Sequence, residues 1–154
     1  MNLSLKRMVR RVTPQMVPQP VPGQPGLVRV DATWGDIQPM QVAEGVRTVG
    51  ELEVIEYLEQ GLPVIDARTS GFYEESTISG ARNIPYPDVK ARMEELDPVQ
   101  PTIFFCNGPQ CGQSPVAMRA LLEAGYPPEG ILYYRSGLHG WLTLGLPVVP
   151  GTVN

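Results

Sequence analysis

The sequence of 154 residues has only two cysteines, Cys106 and Cys111, and a single histidine, His139. So few cysteines exclude a secreted scaffold held together by disulfides. One histidine and two cysteines are also too few for a zinc site unless carboxylates contribute. We therefore expect a cytoplasmic protein with no metal and no cofactor, in which a reduced thiol is free to take part in chemistry.

Long apolar segments and excess positive charge are also missing. No run of 18 or more apolar residues occurs, so no transmembrane helix is expected. Residues 1–11 contain cations but no apolar stretch and no small-residue cleavage site, so they do not resemble a secretory signal. The net charge of −4 and the pI near 5.0 argue against general binding of nucleic acid. With 42% hydrophobic residues, the chain can bury the core of one domain.

The composition changes along the chain. All five cations of the first 30 residues precede the first acidic residue, and they are Lys6, Arg7, Arg10, Arg11 and Arg29. The prolines of the same stretch are Pro14, Pro18, Pro20, Pro22 and Pro25. Because proline lacks an amide proton and disfavours helix in its predecessor, this stretch should be extended or disordered. We predict a basic, then proline-rich arm over residues 1–46 and one domain over residues 47–154.

The pattern from Thr48 onward predicts an α/β domain. Short apolar runs at residues 62–67, 101–105 and 131–134 read as buried parallel strands. Helices are expected after a Thr48–Glu51 capping box, near Asp88, after Ser114 as N-cap, and over residues 138–144. Strands that alternate with helices indicate a mostly parallel sheet with helices on both faces.

The most informative chemistry follows the second of these strands. Cys106 ends the strand, Gly108 and Gly112 lie in the short loop that follows, and Ser114 and Pro115 are expected to begin a helix. Ligands bind at the carboxyl ends of parallel strands, and a helix N-terminus offers unpaired amides with partial positive charge. Both features favour a thiolate, so the pKa of Cys106 should fall below the usual value of about 8.5. The glycines let the loop amides turn inward as an anion-binding nest.

Three segments together resemble the rhodanese family over roughly residues 48–148. Residues 64–86 are similar to the family's opening strand, its Asp-x-Arg and its Ile-x-Gly-Ala-x-Asn-Ile-Pro stretch. The second segment is the Cys106 loop, and the third, residues 133–148, is similar to the closing Gly-x-x-x-Trp and Gly-Leu-Pro-Val. The resemblance implies a rhodanese-like domain that acts as a thiosulfate sulfurtransferase-like enzyme.

The resemblance also implies roles for individual residues. Cys106 would take a sulfur atom from a donor such as thiosulfate, hold it as a persulfide, and pass it to cyanide or a protein thiol. Asp66 and Arg68 match the Asp-x-Arg; the pair should mainly hold the loop region, and Arg68 is also a candidate for contacting substrate. The implied active-site loop comprises Asn107, Gly108, Pro109, Gln110, Cys111, Gly112, Gln113 and Ser114.

This chain departs from the common family pattern in two ways that bear on the donor. Phe72 and Ser76-Thr77 stand where a glutamate and a Gly-His are usual. The loop after Cys106 is about two residues longer than in common single-domain members and contains no cation. Thiosulfate would therefore have to rely on backbone amides of the loop.

Other functions compete with sulfur transfer. Cys111 could attack a persulfide or sulfenate on Cys106, which would make the pair a dithiol redox site, or it could simply fill a loop position. Cys111 as the primary nucleophile is less attractive, since it lies farther from the strand end. A binding module with this fold but no turnover is the non-enzymatic alternative. A phosphatase or arsenate reductase is disfavoured, because residues 107–113 provide no arginine to clamp an oxyanion.

Overall fold

The computed structural model describes residues 19–29 and 35–152. The chain divides into two compact units, residues 1–34 and residues 35–154. In the first unit, strands β1 (Gln19–Pro20) and β2 (Val28–Arg29) form an antiparallel hairpin, with Gln19 opposite Arg29. The basic residues Lys6, Arg7, Arg10 and Arg11 of the predicted arm lie outside the described residues.

The second unit alternates strands and helices. Its strands are β3 (Arg47–Val49), β4 (Val64–Asp66), β5 (Thr77–Ile78), β6 (Arg82–Asn83), β7 (Thr102–Phe105), β8 (Ile131–Tyr134) and β9 (Val148–Val149). Its α-helices are α1 (Glu51–Glu59), α2 (Ser70–Glu75), α3 (Gln113–Glu123) and α4 (Gly137–Thr143). Single 3-10 turns are formed by Met93–Glu95 and Pro128–Gly130.

Among the residues described in this unit, five strands form a parallel sheet in the order β3-β8-β7-β4-β6. Strands β5 and β9 pair separately and antiparallel. The central strands β4, β7 and β8 are completely buried, as their apolar runs predict. The sheet places β7 at its centre, so the residue that follows β7 lies at the middle of the sheet's carboxyl edge.

Alternate residues of the central strands face two separate cores. Phe104 and Tyr133 pack with α3 on one face, together with the buried Val42 and Val46 from the segment before β3. The other face packs against α1 and α4, and its buried side chains include Val54, Phe105, Tyr134 and Trp141. The predicted α/β fold, a mostly parallel sheet with helices on both faces, is therefore confirmed.

Two local predictions are wrong. Thr48 lies in β3, where its hydroxyl donates to the carbonyl of Met40, so it cannot cap α1. Helix α1 instead begins after Gly50, whose amide donates to Oε2 of Glu53 at 2.9 Å. No α-helix forms near Asp88: the described residues there make turns that end in the 3-10 turn at Met93–Glu95. Within the described residues, no helix is long and apolar enough to cross a membrane.

Candidate functional site

Cys106 directly follows the central strand β7 and is 2% exposed. Its Sγ accepts a hydrogen bond from the backbone amide of Ser114 at 3.3 Å and lies 3.1 Å from the Ser114 hydroxyl. Ser114 is completely buried in the first turn of α3. The first turn of this helix therefore delivers an amide and a hydroxyl to the sulfur at the end of the strand.

The role predicted for Ser114 as a helix cap is corrected by this geometry. Helix α3 begins at Gln113 after Gly112, so Ser114 is its second residue and Pro115 its third. The Ser114 side chain makes no cap hydrogen bond and contacts Cys106 instead. Proline is tolerated at this position because the first-turn amides have no partner within the helix.

Cys111 lies close to Cys106 at the other side of the loop. The Cys111 amide donates to the carbonyl of Gly108 at 3.0 Å, which bends the loop back toward the strand end. The Cys106 thiol donates to the backbone carbonyl of Cys111 at 3.4 Å, so Cys111 lies beside Cys106. The side chain of Cys106 and the amides of Gln113 and Asn107 lower the pKa of Cys111. The loop thus brings backbone amides to both sulfur atoms, as an anion-binding nest requires.

The two thiols are tuned in opposite directions. Burial raises the pKa of Cys106, and its interaction with Cys111 raises it further. The hydrogen bond from Cys106 lowers the pKa of Cys111 to about 6, and the amides of Gln113 and Asn107 and the charge of Arg68 assist. The sequence predicts the lowered pKa at Cys106, whereas the structure has it at Cys111, since Cys106 is the more deeply buried partner. The thiol of Cys111 is therefore the more acidic of the two.

Asp66 and Arg68 form a buried ion pair beneath the loop. Nη2 of Arg68 lies 2.7 Å from Asp66 Oδ2, and its Nε donates to Asp66 Oδ1 at 3.0 Å. The other contacts of Arg68 are to the carbonyl of Ser76 at 2.5 Å and to Oδ1 of Asn107 at 3.4 Å. The Thr77 hydroxyl donates to Asp66 at 2.8 Å. The pair therefore joins β4 and β5 to the first loop residue, and it brings a positive charge toward Cys111 that the sequence of the loop lacks.

Three residues at the start of α4 also belong to the site, and sequence reasoning assigned none of them to it. The amides of Leu138 and His139 donate to the carbonyls of Cys106 and Asn107 at 3.0 and 2.8 Å. Gly137 has a φ of +59°, and a Cβ there would lie 2.5 Å from the Cys106 carbonyl oxygen. A glycine before the predicted helix over residues 138–144 was the available signal, but the approach of α4 to the loop is a tertiary contact that no local pattern reveals.

His139 packs its ring against the loop. A Cβ built on Gly108 would lie 3.1 Å from Nδ1 of His139, so this glycine leaves room for the imidazole. Burial and the charge of Arg68 lower the pKa of His139. His139 therefore lies against the loop as a mainly neutral imidazole at neutral pH.

The outer edge of the loop is held by the segment that precedes β3. The amide of Gln38 donates to the carbonyl of Pro109 at 2.7 Å, and Nε2 of Gln110 donates to the carbonyl of Gly35 at 3.0 Å. Nε and Nη2 of Arg135 donate to the carbonyl of Gln38 at 3.1 and 2.8 Å. The segment that contacts the loop is therefore itself held by a residue that follows β8.

Two further features of the described residues bear on the location of the chemistry. No group of three or more histidine, cysteine or acidic side chains gathers there in a way that could hold a metal ion. A cleft of about 460 Å³ is lined by α2, β6 and the turns after it, without any residue of the cysteine loop. Its cations Arg82 and Arg92 both pair with Glu95. The two sulfurs are the stronger candidates for chemistry.

Comparison with known families agrees with this geometry. The model of the rhodanese-like domain family matches residues 52–144, more than half of the chain. The chain belongs to the rhodanese-like domain family. The match includes Asp66, Arg68 and the whole cysteine loop, so the resemblance inferred from the sequence is confirmed.

Individual relatives match a similar share of the chain. The HTH-type transcriptional regulator Rv0324 of Mycobacterium tuberculosis is 30% identical over 100 residues, which are 64% of this chain and 43% of the regulator. The thiosulfate sulfurtransferase of Pseudomonas aeruginosa is 26% identical with a TM-score of 0.61, over 71% of this chain and 21% of that one. The rhodanese-like domain of the Anabaena Alr3790 protein is 21% identical with a TM-score of 0.56, over 70% of this chain and 86% of that one. The chain thus spans less than half of the curated relative.

Proposed function

We propose that this protein is a sulfurtransferase that accepts a sulfane sulfur atom on Cys106 and transfers it to a thiophilic acceptor. The observation that carries the proposal is the position of the Cys106 sulfur between the end of β7 and the first turn of α3. There the Ser114 amide and hydroxyl contact it at 3.3 and 3.1 Å. Such contacts stabilise a sulfur anion during nucleophilic attack. The similarity to a thiosulfate sulfurtransferase supports the same reaction class.

The first half-reaction begins with transfer of the Cys106 proton. As Cys106 attacks the outer sulfur of thiosulfate, this proton passes to Cys111, which lies beside Cys106 and has the lower pKa. A bond forms between Cys106 Sγ and the outer sulfur, the sulfur–sulfur bond of thiosulfate breaks, and sulfite leaves with the electron pair. The product is a persulfide on Cys106, with its terminal charge close to the loop amides and Arg68.

The second half-reaction returns the enzyme to its starting state. Cyanide or the thiolate of a small molecule or protein attacks the outer sulfur, and Cys106 leaves as a thiolate stabilised by Ser114. Two separate transfers through one covalent intermediate give ping-pong kinetics. Because both cysteines must be reduced at the start, we place the reaction in a reducing compartment such as the cytoplasm.

A phosphatase or arsenate reductase fits this site poorly. Those reactions need a guanidinium aimed at the oxyanion. Arg68 is the cation beneath the loop, and each of its three guanidinium nitrogens already contacts an acceptor in Asp66, Ser76 or Asn107. The guanidinium therefore acts as a fixed background charge for the two sulfurs.

A steady-state assay tests the proposal. Thiocyanate formation from cyanide should be measured with thiosulfate, and then with polysulfide and glutathione persulfide, for the wild type and for Cys106→Ser. We expect parallel double-reciprocal lines for the wild type and loss of turnover in the variant, with an unchanged circular dichroism spectrum. Equal turnover by Cys106→Ser, or no turnover by the wild type with any of the donors, would overturn the proposal.

A further inference from the structure

The position of Cys111 suits a second role besides its effect on the pKa of Cys106. Cys111 is only partly buried, whereas Cys106 is 2% exposed. The Cys111 carbonyl accepts a hydrogen bond from the Cys106 thiol at 3.4 Å, and the Cys111 amide donates to the carbonyl of Gly108 at 3.0 Å. The loop therefore holds an accessible thiol, whose pKa is lowered, beside the sulfur that would carry the persulfide.

We propose that Cys111 is a second catalytic thiol, which attacks Sγ of the Cys106 persulfide, forms a Cys106–Cys111 disulfide and releases hydrosulfide. The inference rests on the proposed persulfide and adds an activity to it, namely sulfide release in place of sulfur transfer. Its basis is the hydrogen bond of 3.4 Å between Cys106 Sγ and the carbonyl of Cys111, together with the turn that the Cys111 amide closes on Gly108 at 3.0 Å.

Atoms and electrons balance within the site. The Cys111 thiolate forms a bond to Cys106 Sγ, the bond from Sγ to the outer sulfur breaks, and the outer sulfur takes one proton from solvent and leaves with the electron pair as hydrosulfide. Each cysteine is oxidised by one electron, and the sulfane sulfur is reduced by two to sulfide. The oxidant is thus the sulfur that the donor supplied. A dithiol, or two equivalents of a small thiol, then reduces the disulfide, so that each cycle converts thiosulfate and two thiols into sulfite, sulfide and one disulfide.

Attack at Sγ requires the Cys111 thiol to reach the Cys106 sulfur. Cys106 Sγ already lies 3.4 Å from the carbonyl oxygen of Cys111, and a disulfide requires the two sulfurs to close to about 2.05 Å. The movement falls on a loop segment bounded by Gly108 and Gly112, while Cys106 stays fixed by β7 and by the amide of Leu138. The proton that Cys111 receives in the first half-reaction must be lost to solvent before Cys111 attacks, and the amides of Gln113 and Asn107 and the charge of Arg68 favour this loss because they lower the pKa of Cys111.

A single-turnover experiment under anaerobic conditions tests the inference. Fully reduced protein is mixed with thiosulfate in the absence of added thiol, and intact mass and released sulfide are followed together. The wild type should become two hydrogens lighter and release sulfide in an amount equimolar with the protein. Cys111→Ser should become one sulfur heavier and release no sulfide, and Cys106→Ser should show neither change. A wild-type sample without donor controls for oxidation by residual oxygen.

The outcomes separate this inference from the proposed function. A wild type that stays one sulfur heavier and yields thiocyanate with cyanide, but releases no sulfide, would overturn the role of Cys111 and leave sulfur transfer standing. Sulfur found on Cys111 in the wild type would reject attack at Sγ. If no variant gains sulfur and the wild type yields neither thiocyanate nor sulfide, the proposed function itself fails.

Discussion

Replacing Gly137 by alanine should loosen the contact between α4 and the cysteine loop. Gly137 has a φ of +59°, and an added Cβ would lie 2.5 Å from the Cys106 carbonyl oxygen and 2.8 Å from backbone atoms of Asn107 and Gly108. The left-handed backbone costs an alanine about 1–2 kcal/mol, and forcing a methyl group into packed backbone costs about 1–3 kcal/mol more. We therefore expect Gly137→Ala to lower the free energy of unfolding by about 2–5 kcal/mol.

Urea denaturation provides the assay, and α4 provides a matched control. Gly145 follows the same helix with a φ of +71°, but a Cβ there meets nothing within 4 Å. Gly145→Ala should therefore show the backbone cost alone, about 1–2 kcal/mol. With a slope of about 2 kcal/mol per molar urea, Gly137→Ala should shift the midpoint by about 1 to 2.5 M. Equal shifts for the two variants would refute the steric argument, and with it the contact that positions the Cys106 carbonyl.

Three further predictions concern the sulfurs and the charge beneath them. Ser114→Ala keeps the amide but removes the hydroxyl 3.1 Å from Cys106 Sγ. Because a hydrogen bond to a charged group contributes about 1.5–3 kcal/mol, loading with thiosulfate, measured by stopped flow, should slow about tenfold or more. An unchanged rate would contradict a role for this contact. Arg68→Ala leaves the buried Asp66 carboxylate without its partner, so urea denaturation should show that the free energy of unfolding falls by about 3–5 kcal/mol. A fall of less than about 1 kcal/mol would show that the pair is not structural. Sulfide release by the wild type should fall about tenfold per pH unit below the lowered pKa of Cys111, because the attacking group is the Cys111 thiolate. A rate that rises as the pH falls would contradict the assignment.

The central strands could be predicted from sequence because their burial is complete. Continuous apolar runs at residues 62–67, 101–105 and 131–134 enclose strands β4, β7 and β8 almost to the residue. The start of α1 near Thr48 and the turns near Asp88 could not be predicted from sequence, because both depend on tertiary partners. A Thr-x-x-Glu spacing at residues 48–51 is matched by a Gly-x-x-Glu spacing at residues 50–53, and only the pairing of β3 with β8 decides between them.

The candidate site divides in the same way. A cysteine after a buried strand, followed by glycines and a helix, identifies Cys106 and its loop without a structure. The contacts of Arg68 with Asn107 and of Gly137 with Cys106 join residues about 30 or more positions apart, so no local pattern encodes them. The opposite shifts in the pKa values of the two cysteines also depend on how deeply each is buried, which their spacing in the sequence does not reveal.

The most direct test of the account locates the sulfur on the chain. Reduced protein is loaded with thiosulfate under anaerobic conditions, quenched with an alkylating agent that captures persulfides, and digested for peptide mass spectrometry. The Cys111→Ser variant prevents onward reaction of the persulfide. The account predicts one additional sulfur on Cys106 in this variant, removed by cyanide with formation of an equimolar amount of thiocyanate. A Cys106 peptide without the added sulfur after exposure to thiosulfate, polysulfide and glutathione persulfide would contradict the account.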